Sequence, residues 1–209
     1  MFDFLALITN KKYWELHSYI IKFILRIYGI RIGKNFYCEG VPSLKIRGKA
    51  KNIQIGDNVS FYGNVDIRNR ENGQIIIGDN VSIDNDVRLV SANNAKLSIG
   101  DFTSIGGYTV FNCGTDVLIG ENCLISGLCF FQSSEHGFSK SLPIREQNHS
   151  YGEIVIGNDC WLAANVMIAK NVNLGDGCIV GAKSFIRNEK YDDYSIVAGT
   201  PSKKIGERV

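Results

Sequence analysis

The sequence has no apolar run near the roughly 20 residues that a membrane-spanning helix needs. Its start, MFDFLALI, lacks the basic leader and the small-residue cleavage site of a secretory signal. A formal net charge of +2 over 209 residues gives no overall reason to expect nucleic acid as a partner. We therefore expect a cytoplasmic protein of one domain, with or without an appendage, that associates with membranes only peripherally if at all.

The six cysteines form no CxxC pair, which makes a zinc or redox motif a poor interpretation. Four of them share one position, four residues after a leading apolar residue, where other units carry valine, threonine or serine; they are Cys123, Cys129, Cys160 and Cys178. We interpret these four as small buried side chains, with no metal. Cys38 and Cys113 fall outside this position, and the pattern does not explain them.

A six-residue repeat runs through the chain from Ile55 onward, in units such as IGDNVS, IGENCL and IGNDCW. The apolar residues that open successive turns are 22, 22, 20, 37 and 18 residues apart; they are Ile55, Ile77, Ile99, Ile119, Ile156 and Leu174. Three such units per turn predict an all-β solenoid, a parallel β-helix with three strands per turn. Glycine, Asn or Asp is expected at its corners, because a sharp turn often needs a positive φ.

The pattern predicts three segments. An N-terminal helical or capping segment covers residues 1–50, the β-helix covers residues 51–190, and a C-terminal tail covers residues 191–209. The first segment contains a predicted helix over residues 10–28, which ends at Gly29. Its apolar stripe consists of Tyr13, Leu16, Ile20, Phe23, Ile24 and Ile27. We favour a helix that caps or flanks the solenoid over a basic amphipathic helix on a membrane surface.

The repeat is interrupted at residues 133–153, which have no six-residue phase and form a predicted loop excursion. A long irregular insertion in a regular domain is more often functional than decorative. This one contains two of the three histidines, His136 and His149. Because histidine as a residue type exchanges protons near neutral pH, the excursion is where we expect a general base.

The motifs VFN, SSEHGF, IGNDCWLAANV, LGDGCIVGAKSFIRN and YSIVAGTPSKKI follow one another from Phe111 onward. In this order the chain resembles the hexapeptide-repeat acetyltransferases, including the maltose, galactoside, nodulation-factor and colanic acid O-acetyltransferases. The resemblance covers roughly residues 50–206. It implies a left-handed β-helix, acetyl-CoA as the donor, no metal, and a homotrimer with its site between adjacent subunits.

The resemblance also implies roles for individual residues. His136 is expected to be the general base, which takes the proton of an acceptor hydroxyl as that oxygen attacks the acetyl thioester. The residues expected to bind the acceptor are Asn112, Ser134 and Trp161. Those expected to bind acetyl-CoA are Trp161, Ala164, Ala182, Ile186, Arg187 and Lys203, with the cations available to the nucleotide phosphates. His149 matches no position of the family.

These expectations predict an acetyl-CoA-dependent O-acetyltransferase that acts on a sugar hydroxyl, in the biosynthesis of a bacterial surface polysaccharide. Two alternatives remain open: an N-acetyltransferase for an amino sugar or sugar nucleotide, and a non-catalytic β-solenoid scaffold. A zinc-dependent carbonic anhydrase of the same fold is disfavoured, because no histidine falls on a strand of the repeat. Residues 1–50 depart from the acceptor-side cap of the maltose enzymes, which leaves the acceptor open.

Overall fold

The computed structural model describes Leu5, Leu7, Thr9 and residues 12–209. Its body is a coil of short strands, three to a turn. The first three turns are β1–β3 (Arg31–Ile32, Tyr37–Cys38, Ser43–Ile46), β4–β6 (Ile53–Ile55, Ser60–Tyr62, Val65–Asn69) and β7–β9 (Gln74–Ile77, Ser82–Asp84, Val87–Ser91). The next two are β10–β12 (Lys96–Ile99, Ser104–Ile105, Val110–Cys113) and β13–β15 (Val117–Ile119, Leu124–Ile125, Phe130–Gln132).

After the fifth turn the chain leaves the coil as β16 (Ser134–His136) and β17 (His149–Tyr151), which form a separate antiparallel pair. The coil then resumes with β18–β20 (Ile154–Ile156, Trp161–Leu162, Met167–Ala169) and β21–β23 (Val172–Leu174, Ile179–Val180, Phe185–Ile186). It ends with β24 (Lys190–Tyr191), β25 (Ser195–Ala198) and β26 (Lys203–Glu207), of which β26 folds back antiparallel to β25.

The first, second and third strands of the turns stack into three parallel sheets, which we call sheets A, B and C. The predicted left-handed β-helix of hexapeptide repeats is confirmed. Leading residues of successive turns lie in register, as Ile55 does with Ile77 and Ile77 with Ile99. These side chains are buried in the interior of the coil. Burying an isoleucine of this kind contributes about 1.5–3 kcal/mol relative to leaving it exposed.

Two residues of each six-residue unit build the corner, for different reasons. Asn58, the fourth residue of its unit, has φ of 57°, a conformation that Asn and Asp adopt more readily than other side chains. Gly56, the second residue, is required by close stacking, because a Cβ there would lie 2.5 Å from the carbonyl oxygen of Gly78 in the next turn. The expected positive φ therefore applies mainly to the Asn and Asp positions, and Gly56 serves the stacking of turns.

The coil extends beyond both predicted boundaries, residues 51 and 190. Arg31–Ile32 pairs with the strand at Ile55, and Ser195–Ala198 continues sheet B at the other end. Cys38 lies opposite Phe61 in sheet B and is fully buried, which accounts for a cysteine that the repeat left unexplained. The six-residue pattern does not predict this early turn, because the turn has the bulky Phe36 where later units have a small or β-branched residue.

The N-terminal helix, α1 (Lys12–Ile27), packs on the first turn, which has no preceding turn to cover it. Residues 10 and 11 of the predicted helix lie outside the described residues. The helix stops at Gly29 as predicted: this residue has φ of 92°, and its N–H donates to the Arg26 carbonyl at 2.9 Å. No described helix has the length and apolar character needed to cross a bilayer.

The buried face of α1 is not the predicted apolar stripe. Trp14, Ser18, Ile21 and Leu25 are buried, and Ile21 and Leu25 join the core of the coil. The stripe residues Leu16, Ile20, Phe23, Ile24 and Ile27 are instead 41–69% exposed. Apolar residues occur on both faces, so periodicity does not choose between them. Ser18 takes part in the contact, because its hydroxyl accepts the Cys38 N–H at 2.8 Å.

Candidate active site

The interruption of the repeat folds as a hairpin beside the coil. Its strands β16 and β17 pair antiparallel, and a short 3-10 helix (Ile144–Glu146) lies in the loop between them. The register places His136 directly opposite His149. The hairpin therefore brings together two histidines that are thirteen positions apart in sequence.

The base of the hairpin is attached to the coil through Ser133, which is fully buried. The Ser133 hydroxyl donates to the Thr115 carbonyl at 2.9 Å and accepts the N–H of Gly114 at 3.0 Å. Gly114 also permits a close approach of the hairpin, because a Cβ there would lie 2.9 Å from the ring of Tyr151. These contacts fix the point at which the hairpin leaves the coil.

His136 and His149 form a ring pair on the exposed side of the hairpin. Their ring centroids are 3.9 Å apart, with planes inclined by 43°. Within the described part of the chain, no hydrogen bond engages either ring nitrogen of His136. The contact with His149 restrains the His136 ring while leaving its nitrogens available to a substrate.

Glu135, which precedes His136, ties the hairpin to the sixth and seventh turns. One of its carboxylate oxygens accepts a hydrogen bond from Arg187 Nη2 at 2.7 Å and lies 3.3 Å from Lys170 Nζ. Lys170 also donates to Ser150 Oγ at 2.6 Å, so it contacts both strands of the hairpin. Arg187, expected to bind acetyl-CoA, thus has a protein partner next to the candidate base.

A polar cavity of about 520 Å³ lies between the hairpin and the outer face of sheet C. Asn112 Nδ2 donates to Gln132 Oε1 at 2.7 Å, and Gln132 Nε2 donates to Ser134 Oγ at 2.9 Å. The structure thus brings Asn112 and Ser134, both expected to bind the acceptor, to the cavity that His136 lines. Asn112 Oδ1 has no hydrogen-bond partner among the described residues and can accept one from a hydroxyl.

The other end of this cavity is lined by three arginines, Arg68, Arg70 and Arg88. Asp66 forms ion pairs with Arg68 and Arg88. Burial raises the pKa of Asp66, but the hydrogen bonds and charges of the two guanidinium groups outweigh it, so the pKa lies below its usual value. Arg70 is exposed and forms no ion pair with any described residue, so it is free to bind a ligand.

Trp161 lies in a different place from the other expected acceptor residues. It is half exposed on sheet B, in a groove of about 350 Å³, where its Nε1 donates to Ser126 Oγ at 3.4 Å. Sheets B and C form different sides of the coil, so a single chain does not bring Trp161 together with Asn112 and Ser134.

Ala164 and Ala182 are exposed and stack on adjacent turns at the corner between sheets B and C. The Lys183 N–H donates to the Ala164 carbonyl at 3.0 Å, and Thr200 Oγ1 donates to the Lys183 carbonyl at 3.1 Å. Lys203, also exposed, opens β26 just beyond this corner. The hairpin leaves from the opposite edge of sheet C, so one chain does not join these residues to His136.

Ile186 requires a correction. It is fully buried in β23 and belongs to the core of the coil, so its side chain is not available to acetyl-CoA. Neighbouring residues of a strand point to opposite sides, and the exposed Arg187 follows Ile186 directly.

Gln132 and His149 are among the cavity residues that the sequence analysis did not assign to the site. Gln132 connects Asn112 to Ser134 through hydrogen bonds. The sequence could have indicated this role, because FFQ and VFN occupy equivalent strands of adjacent turns, which places Gln132 beside Asn112. His149 lies opposite His136 in the hairpin. The sequence could have indicated this pairing, because the two histidines lie near opposite ends of the same insertion. Residues at the two ends of an insertion are brought together when it folds as a hairpin.

Comparisons with known proteins agree with this fold. The family model described as bacterial transferase hexapeptide (six repeats) matches residues 153–188. A probable acetyltransferase of Mycobacterium tuberculosis is 30% identical over 105 residues, which are 50% of this chain and 35% of that protein. WbbJ of Escherichia coli, named as an O-acetyl transferase of lipopolysaccharide biosynthesis, is 32% identical over 97 residues, 43% of this chain and 49% of that protein.

Among solved structures, the N-acyltransferase AntD from Bacillus cereus, in complex with dTDP and 3-hydroxybutyryl-CoA, superposes with a TM-score of 0.57. It is 23% identical, over 90% of this chain and 88% of that one, a likeness that supports the fold. The chain spans between one third and one half of the length of the two sequence relatives above. Residues 153–188 match the bacterial transferase hexapeptide repeat, and together with the named acetyltransferase relatives they confirm the resemblance to the hexapeptide-repeat acetyltransferases.

Proposed function

We propose that this protein is an acetyl-CoA-dependent O-acetyltransferase that acetylates a sugar hydroxyl, in the biosynthesis of a bacterial surface polysaccharide. The observation that carries the proposal is the position of His136, at the edge of a polar cavity of about 520 Å³ with both ring nitrogens free of described partners. The named activities of the sequence relatives, acetyl transfer and O-acetyl transfer in lipopolysaccharide biosynthesis, support it.

In the proposed reaction, the acceptor lies in the cavity and one of its hydroxyls donates a hydrogen bond to His136. The hydroxyl oxygen attacks the thioester carbonyl carbon as His136 takes its proton. The tetrahedral intermediate then collapses, the carbon–sulfur bond breaks, and the leaving CoA thiolate takes the proton from the protonated His136, which returns to its starting form. Asn112 Oδ1 and the exposed Arg70 would hold other oxygens of the acceptor.

We propose further that the complete site forms between two copies of the chain in a homotrimer. The hairpin and Arg187 lie at one edge of sheet C, and Ala164 and Ala182 lie at the other. Strands β15 and β20, each of three residues, separate these edges by roughly 10 Å. A neighbouring copy that presents its alanine corner to the hairpin would bring acetyl-CoA to His136. The expected cytoplasmic location stays a prediction.

The test is thiol release from acetyl-CoA, measured with a panel of sugars, sugar nucleotides and amino sugars. Acceptor-dependent release with hydroxyl sugars, and an ester that mild alkali removes, would support O-acetylation. Release with amino sugars only, giving an alkali-stable amide, would establish the N-acetyltransferase alternative. If no acceptor stimulates release and acetyl-CoA does not bind, the protein is a scaffold.

A further inference from the structure

Helix α1 is apolar on two opposite faces. One face, which includes Ile21 and Leu25, is buried against the first turn. The opposite face carries Leu16, Phe23 and Ile27, each 64–69% exposed. A surface helix of a globular protein ordinarily has polar residues on the side away from the core, so an apolar outer face indicates a second contact.

The exposed apolar surface continues from the helix onto the first turn. A shallow groove of about 260 Å³ runs beside α1, lined by Tyr28, Val41, Pro42 and Leu44 together with helix residues. Tyr28 and Val41 are 60% and 56% exposed. We call this surface, formed by the outer face of α1 and the groove, the N-terminal pole.

The charge of the chain is concentrated around this pole. Residues 12–52 contain nine lysines and arginines and two glutamates, whereas residues 53–209 contain thirteen basic and eighteen acidic residues. The basic residues come from the helix, from the sheet A and sheet C strands of the first turn and from its corners; they are Lys12, Lys22, Arg26, Arg31, Lys34, Lys45, Arg47, Lys49 and Lys51. Eight of them are exposed, Lys22 being partly buried, and none forms an ion pair with a described residue.

We propose that the N-terminal pole docks on an anionic lipid bilayer. An apolar helix face bordered by unpaired lysines and arginines is the surface that inserts at the boundary of headgroups and acyl chains and attracts anionic lipids. Two copies related by a twofold axis would instead bring one basic rim against another. Like charges repel, so the charge favours an anionic occupant over self-association through this pole.

The docking would also place the candidate site near the bilayer. Adjacent turns are about 4.8 Å apart. The cavity begins at Arg68 in the second turn and reaches the hairpin, which leaves the coil after the fifth turn. It therefore extends from about 5 Å to about 20 Å above the pole. If the cavity binds the acceptor, as the proposed function holds, this position suits an acceptor that is carried at a lipid surface.

The experiment is sedimentation of the full chain with vesicles of phosphatidylcholine alone or with 30% phosphatidylglycerol (about a third anionic lipid, as a probe of surface charge). We expect binding to the anionic vesicles, weakened at least about tenfold in 0.5 M salt, and little binding to neutral ones. The variants F23S/I27S and K45E/K49E/K51E should each lower binding to anionic vesicles at least about tenfold. The matched controls are I205S, equally exposed at the other end of the coil, and K190E.

Equal binding to both vesicle types, or full binding by F23S/I27S, would overturn the proposal. If F23S/I27S instead reduces the oligomer mass and leaves vesicle binding unchanged, a second copy covers the pole. Unchanged circular dichroism and thermal unfolding would show that the variants fold. Binding is measured without acetyl-CoA, and thiol release with a water-soluble acceptor is measured without vesicles. A failure of one therefore does not imply failure of the other.

Discussion

Arg187 donates a hydrogen bond of 2.7 Å to Glu135, a residue 52 positions earlier and directly before His136. The contact joins the end of the seventh turn to the hairpin that interrupts the coil after the fifth. Because Lys170 lies 3.3 Å from the same carboxylate, the sixth turn is joined as well. The rigid coil thereby restrains the strand that carries the candidate base.

This contact predicts that Arg187 and Glu135 act together on the rate. R187A and E135Q should each lower kcat about tenfold to a hundredfold by letting the hairpin shift. The double variant should be little worse than either, because each single change already breaks the contact. The free energy of unfolding should change by less than about 1 kcal/mol, the usual limit for an exposed ion pair. K204A, which breaks the distant pair with Glu207, is the control and should leave kcat unchanged.

The histidine pair predicts unequal effects of its two members. H136A should lower kcat about 10²–10⁴-fold, the usual contribution of a general base. H149F keeps a ring against His136 and should retain most of the rate, whereas H149A should show a larger loss. Steady-state thiol release measures each variant. Full activity in H136A would rule out His136 as the general base. A severe loss of activity in H149F together with a mild loss in H136A would indicate that His149 is the base and His136 its neighbour.

Gly114 predicts a steric effect on the hairpin. In G114A the new Cβ would lie 2.9 Å from the Tyr151 ring, so the hairpin must move or the structure must strain. We expect a loss of about 1–3 kcal/mol in the free energy of unfolding, a lower kcat, or both. Combining G114A with Y151A should recover much of the loss. The control is G206A, whose Cβ would meet only a side-chain carbon at 3.9 Å.

The separation of His136 from Trp161 predicts complementation between chains. If the site spans two copies, H136A and W161A should each be nearly inactive, and a refolded equal mixture should regain activity. In such a mixture about a quarter of the sites would contain an intact His136 from one chain and an intact Trp161 from its neighbour. Analytical ultracentrifugation should give about three times the chain mass of 23.2 kDa. A monomer near 23.2 kDa, or no recovery on mixing, contradicts a shared site.

The lowered pKa of Asp66 predicts a dependence of stability on pH. A carboxyl group whose folded pKa is depressed stabilises the folded state above its unfolded pKa, near 3.9, and this contribution is lost as the pH falls through the folded value. D66N should therefore be less stable than the native protein by about 1 kcal/mol at pH 7. Urea unfolding at pH 7 and below pH 3 measures the difference, which should shrink at the lower pH. A constant difference would mean that the ion pairs with Arg68 and Arg88 are not its source.

Much of the coil follows from local spacing. Ile55, Ile77 and Ile99 open successive turns and lie in register, as the repeat predicts. The repeat does not predict the first turn, because Phe36 occupies a position where the other units have small or β-branched residues. The apolar stripe predicted for α1 is not the face that the structure buries, because the helix is apolar on two faces. Which face is buried depends on contacts with the first turn, such as the hydrogen bond between Ser18 and Cys38.

The candidate site could be predicted in part. The interruption of the repeat contains His136 and His149, and the resemblance to the family singled out His136. The structure places Asn112 and Ser134 at the cavity that His136 lines. Ile186 was assigned to acetyl-CoA through the resemblance alone, whereas strand alternation turns its side chain into the core. Gln132 was missed because its role depends on a hydrogen bond to a residue twenty positions earlier.

The sequence by itself determined the coil and the place where the coil is interrupted, which contains His136 and His149. The choice of His136 as the proposed base rests on the resemblance to the hexapeptide-repeat acetyltransferases. The six-residue period and its interruption can be recognised from the spacing of residues along the chain alone. Only the tertiary structure decided that His149 lies against His136, that Glu135 meets Arg187, and that α1 turns an apolar face outward. These relationships depend on the register between segments far apart in the chain, and register is set by packing in three dimensions.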